Sequence, residues 1–236
     1  MMTPQQVSLA DLEALIAFDT PTICNALEGL APETRARGYT THAFVCGFPH
    51  MKPVVGYART AAIRSARPSG LSAAEQTRIR DDYYRSIDAG PRPALVVIQD
   101  LDTDAGTGAF WGEVQSAIHV GLGIGGLLTN GSVRDLDQWA PGFQFLAAKI
   151  SASHAYAHPV SVGGEIEVLG LRVREGDLIH ADRHGAVIVP LDWVGALPAA
   201  ARKVAAREAR ILAVARGPDC TADMLIGVFR DLDAIH

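Results

Sequence analysis

The sequence predicts an α/β fold: strands covered by helices in a single compact domain, residues 1–236, with C-terminal helices. Three observations predict it. A strand–helix–strand succession occupies the middle of the chain, "PALVVIQD", "GEVQSAIHVGLG" and "GGLLTN", the layout of a β-α-β unit. With 48% hydrophobic and 20% charged residues, 236 residues can bury one sizeable core. No internal repeat and no Pro/Gly/Ser-rich linker divides the chain.

Ser8, three residues before Asp11 and just ahead of "LEALIAF", starts a first helix. "TPTICNALEGL" reads as a second, with Pro21 in its first turn and Gly29 at its end. "HAFVCG" and "KPVVGYA" read as strands bounded by glycine and proline. Ser72 with Glu75 forms a capping-box signature for a helix running to about Ile87 and stopping near Gly90. The strand Ala94–Gln99 follows, then a helix from near Gly112, a strand near Gly126–Thr129, and "FQFLAAK" as its continuation. Beyond residue 158 the pattern turns to short strands, "PVSVGG", "EIEVLGLRV", "DLIHAD" and "AVIVP". Turn signals at Gly163-Gly164, Glu175-Gly176 and His184-Gly185 punctuate them. A long amphipathic helix from about Leu197 to Ala215, with Pro198 near its start, can cover a sheet or a neighbouring subunit.

The net charge of -5, with 26 acids against 21 bases, speaks against a nucleic-acid partner. The arginines of "YARTAAIRSARP" lack the interleaved aromatics of a nucleic-acid surface. Three cysteines, Cys24, Cys46 and Cys220, make no CxxC and no metal-like pairing, so the cytoplasm is the expected compartment. Cys24 sits in an apolar segment and is expected to be packed and unreactive. The opening "MMTPQQVSLADLEAL" does not read as an export signal. The apolar run at Val120–Leu128 is too short to cross a bilayer, so no membrane association is expected.

"GLGIGGLLTNG" satisfies GxGxxG as a string with Gly121, Gly123 and Gly126. A dinucleotide site needs those glycines between a strand and a following helix, whereas strand-like residues follow here. The glycines therefore read as backbone geometry for a tight turn. The adjacent Arg134 and Asp135 come just past that strand, behind the apparent turn at Asn130-Gly131. Open α/β sheets place ligand loops there. The pair is either a solvated ion pair or a site in which a guanidinium fork meets an anion and a hard carboxylate oxygen meets a cation. Glu113 is likewise either a helix-cap acid or part of an anion-binding helix start. His119 reads as a hydrogen-bonded core or interface residue. His154 and His158 could share a helix face only if Pro159 permitted a helix, so a zinc site has little support. Asp182 and Asp192 read as turn or cap residues. No nucleophile elbow is present.

Taken together, "WGEVQSAIHVGLGIGGLLTNGSVRD" and "VLGLRVREGDLIHADRHGAVIVP" resemble the family of 4-hydroxy-4-methyl-2-oxoglutarate aldolases and RraA-like regulators of ribonuclease E. Gly112-Glu113, Gly131-x-x-Arg134-Asp135 and the "GD…AD…G…VIVP" tail carry the resemblance in order, and "TPTICNAL" resembles the family's N-terminal element. Residues 57–90 depart from the family's shorter members. The resemblance implies an RraA-like swivelling β/β/α fold assembled as trimers or hexamers. It implies an aldolase/decarboxylase dependent on Mg2+ or Mn2+ that cleaves a 2-oxo acid and releases pyruvate through a metal-stabilised enolate. By that pattern Asp135 is the direct metal ligand, and Arg134 contacts the pyruvyl portion. The backbone from Gly112 through Glu113 and Val114 to Gln115 holds the substrate carboxylate, and Glu113 acts through metal-bound waters. A glutamate from a neighbouring subunit completes the site, with Glu208 the best match. No lysine stands near the motif in sequence, so a Schiff-base route is not indicated. The alternative is a non-enzymatic regulator that binds a ribonuclease or another protein. A methyltransferase is disfavoured by the glycine pattern.

Overall fold

Four parallel strands, each apolar enough to be buried on both faces, form the centre of the computed structural model, which describes residues 7–234. The first six residues of the expected non-signal opening, and His236, lie outside them. Helices α1 (Leu9–Leu15) and α2 (Thr20–Leu30) lead into β1 (Val45–Cys46) and β2 (Val54–Arg64). Then come α3 (Ala73–Asp88), β3 (Ala94–Asp100), β4 (Ala109–Trp111), α4 (Glu113–Gly121), β5 (Ile124–Val133) and β6 (Gln144–Ile150). The short strands β7 (His158–Val162), β8 (Glu165–Val168), β9 (Leu171–Arg174), β10 (Leu178–Asp182) and β11 (Gly185–Ile188) precede α5 (Leu197–Ala215) and α6 (Ala222–Asp233).

The main sheet runs β1-β6-β5-β3-β2-β10-β11, with β4 beside β5 and β7 beside β2. Pairing is parallel among β6, β5, β3 and β2 and antiparallel at the flanks. Because strand side chains alternate between faces, Val96 and Ile98 of β3 meet Tyr83 and Ile87 of α3, while Leu95 and Val97 meet Ile166, Val168 and Val173 of the β8–β9 hairpin. A third cluster packs α1, α2 and the start of α5 against β10 and β11. His180, fully buried on β10, accepts from Thr20 Oγ1 at 3.0 Å and bonds the carbonyls of Leu15 and Phe18. Asp182 accepts from the amides of Thr20 and His184. It therefore acts as the expected turn and cap residue and ties α2 to the β10–β11 turn.

Most expected elements are present with altered bounds. "HAFVCG" contributes only Val45–Cys46 to a strand. "EIEVLGLRV" is two strands, because Leu169 and Gly170 both adopt positive φ and close a two-residue hairpin. The strand expected near Gly126–Thr129 continues to Val133, so Asn130-Gly131 is no turn. Its register shifts between Thr129 and Ser132, and the Asn130 side chain bonds both the amide and the carbonyl of Asp100 at the end of β3. At that bulge β5 exchanges its neighbour β3 for β4. The arginines of "YARTAAIR" form no phosphate patch: Arg59 is buried against Glu175 at 2.6 Å, and Arg64 pairs with Asp102. Among the described residues no helix is long and apolar enough to cross a membrane.

Candidate functional site

Two neighbouring parallel strands ending side by side bring the expected site residues together. Ala109 and Trp111 of β4 lie in register with Ser132 and Val133 of β5. Gly112-Glu113 therefore leaves one strand beside the point where Arg134-Asp135 leaves the other. The Arg134 amide donates to Trp111 O at 3.0 Å, and Trp139 Nε1 donates to Arg134 O at 2.7 Å. Both backbone polar groups of Arg134 are thus held. Asp135 follows in the left-handed region, φ 54 and ψ 43, a conformation aspartate tolerates better than most residues.

The Asp135 carboxylate sits against the start of α4. Its Oδ2 accepts from the Glu113 amide at 3.4 Å and lies 3.4 Å from Arg134 Nε. Gly112 offers α4 no side-chain cap, so beyond the Glu113 amide taken by Asp135 the amides of Val114 and Gln115 remain for an anion. A Cβ on Gly112 would collide with Asp135 Oδ2 and come within 3.2 Å of Arg134 Cγ. Glycine is there because the carboxylate occupies the side-chain space.

Gly112, Val114, Gln115, Arg134 and Asp135 line one cavity of about 150 Å3, with Phe110 and His154 closing it. Glu113, between the lining residues Gly112 and Val114, is exposed and does not itself line the cavity. Glu208 lies elsewhere in the same chain, on α5, where Asn25 Nδ2 donates to its Oε1 at 3.2 Å. Sequence reasoning weighed His154 only as a partner of His158 in a zinc site; the loop after β6 instead carries it into the cavity. Its Nδ1 bonds Ala155 O at 2.8 Å; a carbonyl only accepts, so Nδ1 donates and, in the neutral ring, Nε2 is the acceptor. Strand pairing also sets Lys149 opposite Ser132, so a lysine does stand near the motif in space. Its ammonium is bound to Asp104 at 2.7 Å, outside the cavity lining.

Behind the cavity, His119 is fully buried, as expected of a core histidine. Its Nδ1 donates to Gln115 O at 2.7 Å, and its Nε2 accepts from Tyr83 Oη at 2.8 Å. Burial pushes its pKa down to about 4. Burial likewise pushes the Cys24 thiol up to about 11, so it is inert as expected. Gly121 and Gly123 (φ 75) lie between a helix and a following strand, the reverse of a dinucleotide motif.

Among the described residues no three His, Cys, Asp or Glu side chains gather as a metal cage. Mg2+ and Mn2+ ask for less, because such hard cations keep several waters and take one or two carboxylates. Asp135, whose hydrogen bond and ion pair to protein are both long, and the exposed Glu113 fit that demand.

A family model described as RraA-like, Aldolase/RraA, matches residues 20–188. The fold is similar to that of an uncharacterized protein from Pseudomonas syringae pv. tomato, with TM-score 0.68 and 19% identity, covering 95% of this chain and 96% of that one. It is similar to Streptomyces coelicolor RraAS2, described as an unusual member of the RNase ES inhibitor RraA protein family (TM-score 0.66, 20% identity, 86% and 96% covered). A third is the RNA-processing inhibitor RraA from Thermus thermophilis (TM-score 0.52, 18% identity, 71% and 92% covered). At these identities the likeness shows the fold, which is the expected RraA-like α/β fold. No curated protein matches the chain.

Proposed function

This chain belongs to the RraA-like (Aldolase/RraA) family, which includes both aldolases and RNase inhibitors, and on that footing we propose that it is a divalent-metal-dependent aldolase/decarboxylase. Its substrate is a 4-hydroxy-2-oxo diacid of the 4-hydroxy-4-methyl-2-oxoglutarate kind, or oxaloacetate, and its product is pyruvate. The observation that carries this reading is the convergence of Asp135, Arg134 and the start of α4 on one small cavity.

Asp135 would hold Mg2+ or Mn2+ with Glu113 nearby, and the cation, when bound, supplies a Lewis acid for the 2-oxo acid. Arg134 binds the pyruvyl end and stabilises the oxygen that gains charge as the carbon–carbon bond breaks. The amides of the first turn, at Val114 and Gln115, orient the carboxylate. The proton of the 4-hydroxyl goes to a base at the cavity: His154 Nε2 has the free lone pair, and Glu113 can hold a water there. Leu212 on α5 and Met224, Ile226 and Phe229 on α6 leave an exposed apolar face suited to another copy. In such a trimer or hexamer, Glu208 from a neighbour would add a carboxylate.

Pyruvate release from 4-hydroxy-2-oxo diacids and from oxaloacetate tests the reading. Turnover is expected with Mg2+ or Mn2+ and should disappear on chelation. If neither substrate class releases pyruvate with either cation, the aldolase is excluded, and a pull-down against ribonuclease components tests the regulator. Gly112→Ala is a second probe. Its methyl displaces the Asp135 carboxylate and the Arg134 stem together, and misplacing a site by about 1 Å costs about 100-fold in rate. A loss of that order, with the thermal melt little changed, is expected. Wild-type turnover in this variant would show that the carboxylate's observed position is not the working one.

A further inference from the structure

A second cavity, about 420 Å3, shares Phe110 and Gln115 with the 150 Å3 pocket, so those two side chains form a common wall. Its other side is α3, which contributes Thr77, Arg80 and Tyr84, and the start of β7, which contributes His158. Gln115 is held to α3 through Tyr84 Oη, with contacts of 3.2 and 3.3 Å to its amide nitrogen and oxygen. The wall is thus a single hydrogen-bonded side chain beside a ring, not a layer of backbone.

The smaller pocket, about 150 Å3 against about 420 Å3 for its neighbour, suits the compact pyruvyl end of a substrate better than a whole diacid. Whatever is attached to the pyruvyl end must lie outside it, and the adjoining cavity is where the chain leaves space. Among the described residues no aspartate or glutamate lines that cavity, whereas Arg80 and His158 do, together with Thr77 and Tyr84. Among the described residues Arg80 pairs only with its exposed neighbour Asp81, at 3.1 Å. Such surface pairs are weak, so the guanidinium remains available to an anion that offers two oxygens.

We propose that the cavity between α3 and β7 is the subsite for the far half of the substrate, and that this half ends in a carboxylate bound by Arg80. The inference rests on the pyruvyl-end reading of the Asp135 pocket. It narrows the substrate class to 2-oxo acids whose second carboxylate is carried far enough to pass Gln115. Arg80 then determines specificity for length and terminal charge and takes no part in bond cleavage.

Non-reacting probes separate the two readings. Calorimetry with Mg2+ present would compare 2-oxo diacids of five, six and seven carbons with 2-oxo monoacids of equal length. At one chain length or more the diacid is expected to bind at least tenfold tighter than its monoacid. In Arg80→Gln that ratio should fall below about threefold. Ala73→Trp, which places an indole in the same cavity from the start of α3, should weaken the long diacids relative to pyruvate by a similar factor. Equal binding of diacid and monoacid at every length, or an Arg80→Gln variant that keeps the preference, overturns the subsite. Pyruvate release by the wild type without any such preference removes the subsite alone. A preference without pyruvate release from any substrate keeps the subsite and removes the aldolase.

Discussion

Asp135→Asn is expected to lower metal-dependent pyruvate release by about 1000-fold or more while leaving the thermal melt near that of the wild type. Losing the carboxylate charge removes the hardest oxygen donor in the cavity, and a Lewis acid contributes several kcal/mol at the transition state; about 4 kcal/mol corresponds to 1000-fold. Stability should barely change for two reasons. The Arg134–Asp135 pair is long at 3.4 Å and partly exposed, and such pairs are worth at most ~1 kcal/mol. Asparagine also accepts the left-handed conformation of this position. Asp135→Ala loses the same donor and adds a backbone penalty of ~1–2 kcal/mol, so the asparagine variant isolates the charge. Arg134→Gln removes one donor to the developing oxyanion, a loss of about 100- to 1000-fold. Its backbone remains held by Trp111 and Trp139. Steady-state pyruvate assays at saturating Mg2+ or Mn2+, with melts alongside, check all three variants. Activity within tenfold of wild type in both Asp135→Asn and Arg134→Gln would move the chemistry away from this pocket.

How much of this could be read from the chain depends on whether the signal was local. The caps at Ser8 and Ser72 were legible because a capping box is completed within four residues, and both are present as expected. The parallel centre was legible from the β-branched run at Ala94–Gln99 and the helix that follows. The role of Asn130-Gly131 was not. An Asn-Gly pair is a strong local turn signal, but here the asparagine side chain replaces a strand partner for Asp100, which only the sheet order reveals. Arg134 and Asp135 stood out by type and position and Gly112 through the family resemblance, yet what unites them is the pairing of β4 with β5, across more than twenty residues. His154 was legible only as half of a weak histidine pair with His158, since a loop residue becomes a cavity wall only through the path of the chain around it. The α3 cavity was silent: Arg80 and Tyr84 read as an ordinary helix surface until β7 closed the other side.

Lowering the pH from 6.5 to about 4 is expected to destabilise the fold, with His119 as the main cause. In the unfolded chain this imidazole takes up a proton near 6.5; in the folded chain burial holds that step down to about 4. Between those values the unfolded state binds the extra proton and the folded state does not, so acid favours unfolding. The stabilisation is complete above 6.5, declines through the window, and is exhausted below about 4. At 1.36 kcal/mol for each pH unit of separation, the swing is about 3 kcal/mol, a large part of a typical domain's stability. His180, whose pKa burial also lowers, acts in the same direction. A charged His119 would face the rings of Tyr83, Tyr84 and Trp111 with no carboxylate among its hydrogen-bond or ring partners. Denaturant titrations at closely spaced pH values, comparing wild type with His119→Gln, measure the effect. Glutamine can keep contacts to both Tyr83 Oη and the Gln115 carbonyl without titrating, so its stability should fall less steeply over the window. An identical slope in the two proteins would assign the acid sensitivity to other groups. The same residue links stability to the site: His119 holds the carbonyl of Gln115, whose side chain walls both cavities. Protonation that loosens α4 would therefore disturb the first-turn amides beside Asp135, and activity should decline with acid before the whole fold is lost.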